Sequence, residues 1–223
     1  LNLLEPQSNG IGGEVPTLLY SKRERRAVAI SGMGWSPQKL TIDWCRSNGI
    51  DLIPGDGYLP ACVPAVVDTW ATAVARYGKL SFSAVLEPAM RLAQDGFPVY
   101  ERLRESLISS FDKFNEFYPT TAELYYPGGQ VPDVGEIWRN PDFAATLQIM
   151  CKAEDGAAGK SRISGIEAAR DAFYKGPIAE RIVEFITSNP VEDASGSAHT
   201  GLISYEDMSQ WHATVEEPLT YDY

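Results

Sequence analysis

Two short apolar runs, Val15–Ser21 and Ala27–Ser31, flank a charged break at Lys22–Arg26, a pattern that predicts a β-hairpin. Gly-rich stretches bound the pair, at residues 5–13 before it and at residues 31–36 after it. Tight turns at the same end of two paired strands usually bring backbone close to something that must approach it. Two strands alone are not stable and need more sheet or helices over them. Little of the later sequence reads as strand, so the partner strands are expected outside this chain. Beyond residue 36 the apolar spacing becomes helical.

Ser36-Pro37 predicts a first helix to about Ser47, with Ser as N-cap, Pro at the first helical position and Gly49 beyond the end. Residues 50–60 form a Pro/Gly loop. Pro64 opens a second helix to Tyr77, with Val66, Val67, Trp70, Val74 and Tyr77 on one stripe and Gly78 as its stop. A third runs from Ser81 to Gln94 before Gly96, with Pro88 inside it as a predicted kink or break. The fourth spans Tyr100–Phe114, its stripe Leu103, Leu107, Phe111 and Phe114 belonging to a core. Residues 119–136 read as loop, Asn140-Pro141 to Ala153 as a fifth helix and residues 153–160 as a flexible link. Ser164 caps a sixth helix ending near Gly176, and Pro177 starts a seventh to Thr187. Residues 188–201 are expected to be a mobile polar loop. Ser204 caps a last short helix with Asp207 in its first turn, and the final ten residues look extended. The expected class is α+β: a mainly helical body with a β-ribbon, in one domain over residues 1–223.

Composition narrows the function classes. The chain of 223 residues is 44% hydrophobic, enough for a core, and holds no apolar run of membrane-spanning length. The opening, LNLLEPQ, reads as the middle of a fold and suggests a piece of a longer protein; export and cytoplasm both stay open. A net charge of −11, spread along the chain, argues against a nucleic-acid partner and against an anionic membrane surface. Cys45, Cys62 and Cys151 lack metal-like spacing and form a poor disulfide framework, and His199 and His212 add no zinc pattern. Gly10, Gly12 and Gly13 fail as a dinucleotide fingerprint, because Val15 occupies the place of the third glycine and a strand follows. No phosphate-binding loop or nucleophile elbow is present. No residue of this chain receives a catalytic or metal-binding role.

Several segments, in order, resemble the gamma-glutamyltransferase family of N-terminal-nucleophile hydrolases. Glu5-Pro6 with SNGIGG at 8–13 is similar to its "EP…sGiGGG" turn, and residues 17–20 to the strand after it. VPAVVDTWATAVARYGKL (63–80) resembles "vPGtvaGl…ryGkl", and LEPAMRLAQDGFPV (86–99) resembles "l.PAi.lAe.GFpV". FYKGPIAERIVEFI (173–186) and GLISYEDMSQWHATVEEPL (201–219) resemble "fYkGpiAe.iv" and "Glit.eDLa.y.a…ePl". The resemblance covers nearly the whole chain. It implies a four-layer αββα fold completed by chain beyond these residues, with a preceding helix and a small subunit both outside them. It also implies a proenzyme that cleaves itself, so that a new N-terminal Thr becomes the nucleophile with its own amine as base. Backbone N–H groups of a Gly pair would hold the oxyanion, and no cofactor is needed. The implied partners are the small subunit from the same precursor, a small amide substrate and further copies of the processed heterodimer.

One departure bears on substrate. The family's gamma-glutamyl enzymes carry an Arg in "D.RE.aP" that binds the substrate α-carboxylate. Aligned on Pro37, Ser31 to Ser36 fall there and Met33 takes the arginine's place. Methionine offers no charge-assisted partner to a carboxylate. Gly32, Met33, Gly34 and Trp35 are therefore the candidate substrate-binding residues, with Met33 and Trp35 either lining a pocket or packing inside. The expected activity is that of an amidohydrolase or acylase. A gamma-glutamyltransferase anchored through another residue, and a non-catalytic homologue acting by binding, are the alternatives.

Overall fold

The computed structural model describes residues 1–157, 159 and 161–222. The ribbon forms as predicted. Strands β1 (Thr17–Ser21) and β2 (Arg26–Ile30) pair antiparallel from Thr17↔Ile30 to Ser21↔Arg26. Lys22–Arg25 make the turn, closed by the Arg25 N–H on the Ser21 carbonyl at 2.7 Å, with Arg25 at φ 56°. Val28 and Ile30 are buried, whereas Leu18 and Tyr20 on β1 are about 70% exposed.

Helix α1 (Ile42–Ser47) begins later than expected. Ser36 does not cap it. Thr41 does, its hydroxyl accepting from the Trp44 N–H at 3.1 Å. The displacement has a tertiary cause: the Gln38 N–H donates to the Asp207 carboxylate at 3.1 Å, so the chain after Pro37 is committed elsewhere. Helix α2 (Val66–Tyr77) starts two residues after Pro64, with no side-chain cap. Helix α3 (Phe82–Asp95) is capped by Ser81 and runs through Pro88 as one element, so no break occurs there.

Strand β3 (Phe97–Pro98) pairs with β4 (Ile137–Trp138), a contact without a sequence signal. Helix α4 (Glu101–Phe117) is a turn longer than predicted. The stretch expected to be loop contains α5 (Pro119–Tyr125), started by Pro119 at its first position. Tyr126 beyond it is buried and donates to the Leu107 carbonyl at 2.8 Å, which fixes α5 against α4.

Helix α6 (Pro141–Ala157) continues into the expected link; residues 158 and 160 of that link lie outside the described residues. Glu154 explains the extension. It is buried, and its carboxylate accepts from the N–H groups of Phe82 (2.8 Å) and Ser83 (2.6 Å). A carboxylate from one helix thus satisfies the open N-terminus of another. Helix α7 (Arg162–Tyr174) is capped by Ser161, three residues earlier than expected, and α8 (Pro177–Ser188) starts at Pro177 as predicted.

The polar stretch 188–201 holds a small hairpin, β5 (Val191–Glu192) with β6 (Ala198–His199). Helix α9 (Tyr205–Gln210) has the full capping box between Ser204 and Asp207. In the extended tail, whose last residue Tyr223 lies outside the described residues, β7 (Val215–Glu216) joins β2 and makes a three-stranded sheet in the order β1-β2-β7. The ribbon therefore finds one partner strand within the chain, contrary to the expectation that all lie outside it.

Two core clusters fill the body. One gathers α2, α3, α6, α7, α8 and α9 around Phe82, Leu147, Met150, Phe173, Tyr174 and Trp211. The other joins α4 and α5 to β3 and β4 through Phe97, Leu103, Tyr126 and Trp138. Met90 and Phe143 pack against both.

A buried ion pair links the first cluster to the sheet. Asp68 on α2 accepts from Arg170 on α7, and both are nearly inaccessible. Asp68 also accepts from Thr72 (3.1 Å) and from the Ala213 N–H (3.2 Å), while Arg170 donates to the Trp211 carbonyl and lies over the Tyr174 ring. Burial pushes the Tyr174 phenol up, so it stays a donor, to the Pro64 carbonyl at 2.7 Å. Arg170→Met strands the Asp68 charge and should cost the full-length protein about 3–5 kcal/mol in denaturant unfolding. Adding Asp68→Asn to that variant should recover part of the loss.

Candidate functional site

Residues 32–37 leave β2 as an extended segment, not the turn expected from their glycines. It is clasped on both sides by backbone. On one side the Val15 N–H donates to the Gly32 carbonyl at 2.8 Å; on the other the Val63 N–H donates to the Trp35 carbonyl at 3.0 Å. The two glycines serve close approach rather than a positive φ. A Cβ on Gly32 would lie 2.2 Å from the Val15 oxygen, and one on Gly34 would lie 1.8 Å from the Val63 oxygen. No side chain fits in either place.

Extended backbone alternates its side chains. With Gly32 and Gly34 against the neighbouring chain, Met33 and Trp35 are thrown outward and are 56% and 46% exposed. Neither side chain packs into the core clusters of this chain. The first Gly-rich loop supports the same corner: the Gly13 carbonyl accepts from the Ala65 N–H at 3.0 Å, beside the start of α2. Residues 10–15, 32–35 and 63–65 thus meet in one place, although the sequence separates them widely.

The far end of the segment is fixed by Asp207, which is fully buried and accepts from the Ser204 N–H (2.8 Å), the Ser204 hydroxyl (2.7 Å) and the Gln38 N–H (3.1 Å). Burial alone would raise this carboxyl, but the hydrogen bonds from Ser204 and Gln38 outweigh it and hold Asp207 below the usual range. The local sequence assigns Asp207 only to its own helix, through the S-x-x-D box; its reach to Gln38 carries no sequence signal.

Glu14 lies in this corner and Cys62 adjoins it, the Cys62 thiol being pushed up by burial and then by the nearby Glu14; the other groups discussed here lie elsewhere in the chain. Asp193 meets the His199 Nδ1 at 2.7 Å within the β5–β6 hairpin, and His212 approaches Asp68 at 3.2 Å. Cys45, Cys62 and Cys151 are free thiols. Among the described residues no group of three or more His, Cys, Asp or Glu is placed to hold a metal ion. No described helix is long and apolar enough to cross a membrane.

This α+β arrangement, a short sheet beside a helical body, is that of the N-terminal-nucleophile hydrolases, and solved structures align with it along the whole chain. LmbA2991HD superposes with a TM-score of 0.92 at 35% identity, over 100% of this chain and 38% of that one. Cephalosporin acylase from Bacillus halodurans superposes at 0.80 and 28% identity, over 100% and 38%. The chain belongs to the gamma-glutamyltranspeptidase family, whose model matches residues 1–223. A curated relative, the glutathione hydrolase-like YwrD proenzyme of Bacillus subtilis strain 168, is 30% identical over 197 residues, covering 85% of this chain and 33% of that protein. The chain spans about a third of the length of the curated relatives it matches.

Two outcomes test this geometry. Gly34→Ala must push the strap off Val63 and should cost about 1–3 kcal/mol or more, whereas Gly12→Ala, with open space around it, should change stability little; thermal unfolding of the full-length protein reads both. Asp207→Asn should cost about 1–2 kcal/mol at neutral pH. Because the native Asp207 carboxyl is depressed, its contribution is complete above the ordinary value of 3.8 and is lost as pH falls through the lower native one. The stability gap between variant and parent should therefore narrow below that value.

Proposed function

We propose that this chain is the large-subunit part of a gamma-glutamyltranspeptidase-family amidohydrolase or acylase, acting on a small amide that lacks the α-carboxylate of a gamma-glutamyl donor. The observation that carries the reading is Met33. It projects outward from a strap whose backbone is pinned at both neighbours, at the position where the resemblance puts a carboxylate-binding Arg. A carboxylate held there would face a thioether in place of a bidentate cation. Met33 and Trp35 instead offer apolar surface to an acyl group, while Gly32 and Gly34 keep the strap seated.

In the reaction proposed, the nucleophile is the N-terminal Thr of a small subunit cut from the same precursor. Its hydroxyl adds to the amide carbon as its own α-amine takes the proton. The C–N bond then breaks, the amine leaves with that proton, and an acyl-enzyme remains. Water or another amine releases the acyl group. Backbone N–H groups stabilise the oxyanion, and this chain supplies one wall of the acyl pocket. Assembly of processed heterodimers into larger oligomers fits the same reading.

The full-length precursor tests it directly. On a denaturing gel it should resolve into two bands, with Thr at the new N-terminus. The processed protein should cleave hexanoyl-p-nitroanilide, which has no α-carboxylate, at least about tenfold faster, in kcat/KM, than gamma-glutamyl-p-nitroanilide. Met33→Arg should raise gamma-glutamyl turnover by about 10–100-fold, the worth of one charge-assisted contact. Gamma-glutamyl turnover by the parent at rates matching the best anilide would point to a true gamma-glutamyltransferase. A precursor that stays a single chain would point to a binding role.

A further inference from the structure

The register of the ribbon continues past the ends of its strands. Thr17 pairs with Ile30, and two residues further along the same antiparallel frame the Val15 N–H donates to the Gly32 carbonyl at 2.8 Å. The residue before Val15 is Glu14 and the residue after Gly32 is Met33, so the two chains bring these side by side. Their face follows from the same frame. Residues directly opposite in an antiparallel pair share a face, and successive residues alternate between faces. Val28 and Ile30 point into the body, opposite Leu19 and Thr17, and Gly32 opposite Val15 extends that row. Ala27 and Ala29, opposite Tyr20 and Leu18, form the other row, which Met33 and Glu14 extend. Neighbours so placed have Cβ atoms about 4.5–5.5 Å apart, within reach of a Glu and a Met side chain.

Glu14 is pinned through both flanking residues. Val15 is bonded to the strap, and the Gly13 carbonyl accepts from the Ala65 N–H at 3.0 Å. Its charge is also felt in this corner. Burial first, and the Glu14 carboxylate second, push up the thiol of Cys62, the residue next to the Val63 that clasps Trp35. Backbone bonds, register and field thus all set Glu14 beside the strap.

The chemistry of this corner is the reverse of a carboxylate site. Where the resemblance puts a cation, Met33 is neutral, and the next side chain on the face is an anion. A substrate carboxylate beside Met33 would lose its cation and also meet a like charge, whereas an ammonium would gain a charge-assisted hydrogen bond. We propose that Glu14 is a specificity-determining residue of the acyl pocket and selects small amides whose acyl group carries an ammonium. The Glu14 carboxylate pairs with that ammonium while the alkyl chain lies on Met33 and Trp35. A gamma-glutamyl group, whose ammonium sits beside a carboxylate, gains no such net attraction. This rests on the reading of Met33 and Trp35 as a wall of the acyl pocket.

The test uses the processed full-length protein, its Glu14→Gln and Glu14→Lys variants, and the hexanoyl, ε-aminohexanoyl and adipoyl p-nitroanilides, which share one chain length. The parent should favour the ε-aminohexanoyl over the hexanoyl compound by about tenfold or more in kcat/KM, the worth of one charge-assisted contact. That preference should lie mainly in KM, because the ammonium is remote from the scissile bond. Glu14→Gln should bring the ratio down to about one, and Glu14→Lys should turn the preference toward the adipoyl compound. Equal use of the first two anilides by the parent, or a preference that survives in Glu14→Gln, overturns the assignment and leaves the acylase reading standing. Calorimetric binding of ε-aminohexanamide and hexanamide needs no turnover. If no anilide is cleaved, tighter binding of ε-aminohexanamide by the parent, lost in Glu14→Gln, sinks the acylase reading and upholds the Glu14 site. With no cleavage and no such preference, both fall.

Discussion

The buried pair of Asp68 and Arg170 is the constraint from which the site is built. An ion pair this deep survives only if its remaining donors and acceptors are also used; here Thr72 and Asp171 take some of them and the backbone of residues 211–213 takes others. That commitment places Thr214, whose carbonyl takes the Ser31 N–H at 2.9 Å, and so places β7 against β2. The strap begins where β2 ends. The position of Met33 and Trp35 is thus set from the helical body, through a charge pair that touches neither residue.

Backbone fit then does what side chains do at many binding sites. Val15 holds Gly32 and Val63 holds Trp35 through backbone alone, Gly34 packs against Val63, and the Met33 and Trp35 side chains take no part in holding the strap. In the function proposed above, scaffold and specificity are thus separated: the glycines fit the neighbouring chain, and the residues between them would meet the acyl group.

Much of the helical body was legible because its boundaries are written in local chemistry. Ser81 and Ser204 cap where they should, and Pro141 and Pro177 stand at first helical positions. The elements that were not legible lack any local period. Pairings of two residues each, β3 with β4 and β5 with β6, are too short to alternate, and α5 is too short to carry a stripe. Ser36-Pro37 looked like a helix start and was overruled by a bond from Gln38 to a carboxylate near the other end of the chain. The site was legible in the same uneven way. The Gly-Met-Gly-Trp segment could be picked out, but its extended shape depends on Val15 and Val63, and nothing local in the sequence announces their approach.

The pairing of β2 with β7 also orders events in time. Ala29 meets Glu216 and Ile30 meets Val215, so the sheet cannot be completed until nearly all of this chain has been synthesised. Contacts between such distant residues form slowly, because the intervening chain must be closed into a loop first. Meanwhile β1 and β2 exist as a ribbon whose β2 edge is open. On the ribosome that hairpin is a sticky object awaiting its third strand, and the charged turn at Lys22–Arg25 is the part of it best suited to keep neighbours away.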